Sequence, residues 1–82
     1  MDPITIQVKA FIVDNFLFGQ GGDKITGDTS LMDNGIVDST GVLELVAFLE
    51  ETWSIAVEDE ELVPENLDTL GNITRFIQKK SG

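Results

Sequence analysis

The chain has 82 residues, 41% of them hydrophobic, and contains neither cysteine nor histidine. That length gives one domain, residues 1–82, and the missing residue types exclude disulfides, the usual zinc sites and Cys–His or Ser–His catalytic pairs. Five basic against fifteen acidic residues leave a net charge of −10, which disfavours nucleic-acid phosphates and anionic membranes as partners.

The first predicted element runs from about Pro3 to Leu17. Ile4, Val8, Phe11, Ile12 and Phe16 recur at helical spacing, and Pro3 suits a first turn, where its missing N–H is no loss. Gly19, Gly21 and Gly22 are expected to end this helix. A long loop follows, about Phe18 to Val37, with Leu31, Met32, Ile36 and Val37 tacking it onto the core. Loops of this length are usually functional or disordered. The second helix is expected from Asp38-Ser39 to about Trp53, with Asp38 as N-cap. Val42, Leu45, Val46, Leu49 and Trp53 make its apolar stripe, and Phe48 flanks it. Leu43 and Ala47 lie off the stripe, near the helix start. Ser54 to Val57 reads as an extended link. Glu58 to Asn66 is acidic, is interrupted by Pro64, and holds one or two short helical turns at most. The last helix runs from about Thr69 to Lys80, capped by Asp68 or Thr69, with Lys79 and Lys80 where the macrodipole favours them. The expected fold is all-α: three main helices plus one short helix, with a long loop between the first and second.

Between Gly27 and Thr74 there is no Lys or Arg, and every charge is negative. Such a one-signed field either solvates the domain or steers basic partners towards it. Glu58-Asp59-Glu60-Glu61 lacks the liganding pattern of an EF-hand loop, so no metal site is expected. No run approaches the roughly 20 apolar residues of a membrane span, and Asp2-Pro3 replaces a basic leader after Met1. A cytoplasmic location is therefore expected, without membrane insertion.

Ser39 is the residue on which chemistry can turn. It falls in the first turn of the second helix, after a loop, so its hydroxyl can reach solvent. No histidine exists to activate it, and Lys9, Lys24, Arg75, Lys79 and Lys80 are distant in sequence. An unactivated serine is a poor nucleophile. Ser39 therefore reads as a substrate for another protein's active site, not as a catalyst. A hydrolase built on Ser39 would need a base that is missing.

The stretch Asp33-Asn34-Gly35-Ile36-Val37-Asp38-Ser39-Thr40-Gly41-Val42-Leu43-Glu44-Leu45-Val46 resembles the phosphopantetheine attachment region of acyl carrier proteins and peptidyl carrier domains. The resemblance extends from Ser30 to about Lys80. It implies an acyl-carrier-like bundle, and a non-enzymatic carrier whose Ser39 bears a 4'-phosphopantetheine arm. In that reading a phosphopantetheinyl transferase with bound magnesium moves the arm from coenzyme A onto the Ser39 oxygen, and Asp38 serves as motif residue and helix cap. The arm then holds cargo as a thioester. The face carrying Thr40, Leu43, Glu44 and Ala47, with Asp33 nearby, would meet partner enzymes. These are an acyl- or aminoacyl-carrier ligase and a downstream transferase with basic docking surfaces. A monomer is the family default.

Fatty-acid carriers usually show Leu directly after the modified serine. Here Thr40 and Gly41 follow, a pattern closer in look to stand-alone D-alanyl or aminoacyl carrier proteins. Leu62 to Leu70 resembles the corresponding segment of those carriers as well. Phe11, Phe16, Phe48, Trp53 and Phe76 are expected to fill the interior with large rings, leaving no room for a long acyl chain. The competing reading is an acidic protein-interaction or inhibitory module with no prosthetic group, which would need no modified serine.

Overall fold

Among the described residues every regular element is helical. The computed structural model describes residues 2–19 and 21–81, Asp23 by its backbone alone. In chain order they form α1 (Pro3–Phe16), a short 3-10 turn (Gly22–Lys24), α2 (Ser39–Trp53), a second 3-10 turn (Asp59–Glu61), α3 (Pro64–Leu67) and α4 (Leu70–Ser81). The all-α expectation is met, with α3 as the short helix. No described helix is long and apolar enough to cross a membrane.

Each helix starts where local chemistry allows. Asp2 Oδ1 accepts the Ile4 N–H at 2.8 Å, and Pro3 occupies the first helical position. Pro64 likewise opens α3 instead of breaking a longer helix. Thr69, not Asp68, caps α4: its Oγ1 accepts the Asn72 N–H at 3.0 Å. α1 stops one residue earlier than expected and before the glycines. Leu17 and Gly19 N–H groups both donate to Val13 O, at 3.2 and 2.8 Å, around Phe18 in a left-handed conformation.

The centre of the core is aliphatic. Val8, Ile12, Leu31, Leu45, Leu49, Leu70, Ile73 and Ile77 are all but sealed from solvent. This corrects the expectation that aromatic rings fill the interior. Among the described residues only Phe76 is a buried ring. Phe11 stacks on Phe48 with centroids 4.1 Å apart, while Phe16 meets Phe11 edge-on at 5.9 Å and Trp53 meets Phe48 at 5.7 Å. These four half-buried rings form a chain at the margin of the core that joins α1 to α2. One buried polar contact joins α1 to α4. Thr74 Oγ1 donates to Leu70 O at 2.8 Å, so the 2.6 Å hydroxyl pair must have Thr5 as its donor.

Candidate functional site

The loop before α2 is fixed from below. Ile25, Leu31 and Val37 are buried, and the Leu31 carbonyl accepts the N–H groups of Ile36 and Val37 at 2.9 and 3.1 Å. Gly35, at φ +69°, takes the left-handed turn that makes this possible. Asp68 holds the same turn from the other side. Its carboxylate accepts Ser30 Oγ–H at 2.6 Å and the Met32 N–H at 2.9 Å, while its carbonyl accepts the Leu31 N–H at 2.7 Å. Met32 itself is exposed and does not tack the loop down as its sequence neighbours do.

With Val37 buried and Asp38 extended, the chain enters α2 at Ser39. Asp38 Oδ1 accepts the Gly41 N–H at 2.6 Å, the expected N-cap. Gly41 is buried because the Phe16 ring lies against it. A Cβ at this position would lie 2.7 Å from Phe16 Cε1 and 3.2 Å from Asp38 Oδ1. A glycine two residues after Ser39 therefore lets the end of α1 seat beside the start of α2. The sequence alone gave no sign of this contact.

Ser39 is exposed, at the helix end where first-turn N–H groups lack intrahelical partners. Thr40, Leu43, Glu44 and Ala47 are all exposed and recur at the spacing of one helical face, running away from Ser39. Leu43 is 63% exposed, a large apolar side chain facing water. Asp33 is also exposed, but it sits in the loop turn before α2, where its N–H donates to Ser30 Oγ.

From Asp28 onwards, some acidic residues hold the fold and others face water. Asp38, Glu50, Glu61 and Asp68 spend their carboxylates on the fold, Glu50 by accepting the Val57 N–H at 2.9 Å. Asp28, Asp33, Glu44, Glu51, Asp59, Glu60 and Glu65 are exposed. Two hollows lie near the long loop and α3. A narrow cleft of about 30 Å³ is lined by Met32, Val42, Leu62, Val63, Pro64 and Leu67. A larger hollow of about 350 Å³ lies under the long loop.

No protein-family model matches the chain. A curated acyl carrier protein from Akkermansia muciniphila is 34% identical over 79 residues, covering 96% of this chain and 94% of that one. A solution NMR structure of a holo acyl carrier protein from Nitrosomonas europaea matches with a TM-score of 0.80 at 25% identity, covering 96% of each chain. Sequence relationship over nearly the whole length and the shared helical architecture agree: the chain belongs to the acyl carrier protein family, carriers with covalently attached 4'-phosphopantetheine that are not themselves enzymes.

Proposed function

We propose that Ser39 bears the 4'-phosphopantetheine arm and that the chain carries a small or polar acyl or aminoacyl group between cytoplasmic enzymes. One observation carries the assignment: an exposed hydroxyl on the first residue of α2, directly after the Asp38 cap, with no histidine in the chain to make it a catalyst. The residues fit the group. A phosphodiester on Ser39 would sit at a helix N-terminus, favourable by about 0.3–1 kcal/mol. The Phe16 ring packs against Gly41 in the same first turn. When attached, the arm supplies a thiol that binds cargo as a thioester.

The face of Thr40, Leu43, Glu44 and Ala47 is the docking surface for partner enzymes in this reading. Leu43 would enter an apolar pocket of the partner while Glu44 meets a basic rim. Asp33 adds to the field that steers basic surfaces to this end. The partners are a phosphopantetheinyl transferase, an acyl- or aminoacyl-carrier ligase and a downstream transferase, each meeting one monomer of the carrier.

The size of the cargo follows from the interior. The cleft between α2 and α3 is about 30 Å³, close to the share of liquid that one water occupies. The aliphatic side chains around it are packed, so a long acyl chain would have to push α3 away. Incubation with coenzyme A and a broad-specificity phosphopantetheinyl transferase, read by intact mass, tests the attachment. The wild type should gain one phosphopantetheine and Ser39→Ala none; modification of the alanine variant would move the site elsewhere. Octanoyl and aminoacyl forms can then be compared by methyl chemical shifts. Large changes at Leu45 and Leu49 in the octanoyl form would overturn the cargo reading.

A further inference from the structure

We propose that the hollow under the long loop is a resting site for the phosphopantetheine arm, an inference that rests on the assignment of Ser39. The hollow measures about 350 Å³ and is lined by Leu17, Ile25 and Ile36 on its apolar side and by Lys24, Thr29 and Asn34 on its polar side. That volume lies in the range of small-molecule sites, which pair mostly apolar walls with a few polar groups.

The arm's chemistry matches this lining. Pantetheine alternates short hydrocarbon segments, including a geminal dimethyl group, with two secondary amides. It needs apolar contact, acceptors for two N–H groups and donors for two carbonyls. Asn34 Nδ2 already donates to Ser30 O at 2.6 Å, which fixes the side-chain amide and leaves Oδ1 as an acceptor. The Lys24 ammonium brings donors for a carbonyl. Thr29 Oγ1 already accepts the Thr26 N–H at 2.9 Å and serves as wall more than as partner. The narrow cleft lined by Val42 and Leu62 has no volume for such an arm.

Position supports the same occupant. Ile36 is three residues before Ser39, and three extended residues span at most about 11 Å. Leu17 directly follows Phe16, whose ring lies against Gly41 in the first turn of α2. The mouth of the hollow and the attachment hydroxyl therefore share one end of the molecule. A tethered group reaches the hollow at high effective concentration, so even weak contacts populate the bound arm.

The test uses the full-length protein before and after modification. Intact mass first establishes that one arm is attached; failure at that stage concerns the Ser39 assignment and not the hollow. With labelled protein and an unlabelled arm, Ile25 and Ile36 methyls should shift on modification and show NOEs to the geminal methyls of the arm. Lys24→Gln and Asn34→Ala should each shrink the Ile25 shift while leaving arm attachment intact. Shifts confined to residues 38–43, without NOEs to Ile25 or Ile36, would put the arm in solvent and overturn the proposal. NOEs to Val42 and Leu62 methyls instead would place it in the other cleft and overturn it equally.

Discussion

Two irregular stretches connect the main helices, and they are held in opposite ways. From Leu17 to Asp38 the chain is anchored by fully buried apolar side chains, Ile25, Leu31 and Val37, and by the half-buried Asp68. From Ser54 to Val63 no residue is fully buried. Ile55, Val57 and Leu62 are only partly covered, and the polar ties are the part-buried Glu50–Val57 hydrogen bond, a Glu58–Glu61 capping box and the 2.9 Å Lys80–Glu61 ion pair. Both stretches are rich in carboxylates, yet only in the first does a half-buried carboxylate, Asp68, tie a loop turn to a residue 38 positions away. The first stretch presents Ser39 and so needs a fixed conformation. The second borders the cleft beside α3 through Leu62 and Val63.

The sharpest break in this comparison comes from Leu31→Ala. Leu31 is 0% exposed, and truncating such a leucine costs about 2–5 kcal/mol. Chemical denaturation should show that loss, and amide exchange at residues 36–41 should quicken along with it. Asp68→Ala comes next. It leaves the Met32 N–H and Ser30 hydroxyl without their carboxylate, a loss of about 1.5–3 kcal/mol for hydrogen bonds to a charged group. Exchange should again quicken at the start of α2. Leu62→Ala, in the second stretch, removes only half-covered surface and should cost about 1 kcal/mol, with the start of α2 unaffected. Equal effects of Leu62→Ala and Leu31→Ala on exchange at residues 36–41 would erase the distinction.

Much of this difference could be read in the sequence, and the part that could not has a physical cause. The stripe containing Leu45 and Leu49 and the cap at Asp38 follow from local periodicity and from the chemistry of one helix end. Leu31 and Val37 were legible as apolar residues inside a polar loop. Met32 was not distinguishable from Leu31, because which of two adjacent apolar residues points inward depends on a turn set by Gly35 and Asp68. The link from Asp68 to Ser30 spans 38 residues, and no periodicity encodes a pairing so remote. The aromatic residues show the same limit. Their number suggested a core of rings, but spacing along α1 and α2 could not say that Phe11 and Phe48 would stack at the margin while aliphatic residues take the centre. For the candidate site, Ser39 and its helix face were legible because they are local. The seat of Phe16 on Gly41 and the hollow under the loop were not, since both arise where distant segments meet.

Glu61→Gln should have the smallest effect, and its pH dependence sharpens the comparison most. The hydrogen bond from Lys80 chiefly, and then the one from the Glu58 N–H, hold the Glu61 carboxyl below the usual glutamate range. Because the folded state lowers this value, the ionised side chain stabilises the fold at pH above the unfolded glutamate value of about 4.3. That contribution is lost as the pH falls through the lower folded value. Thermal melts of wild type and Glu61→Gln should therefore differ slightly at neutral pH and converge in acid, and added salt should narrow the neutral gap because the pair is at the surface. Amide exchange at Ser39 should be the same in both proteins. A gap that persists in acid, or a change at the start of α2, would mean that the second stretch is coupled to the site after all. The contrast between an anchored loop and a loosely clasped link would then have to be given up.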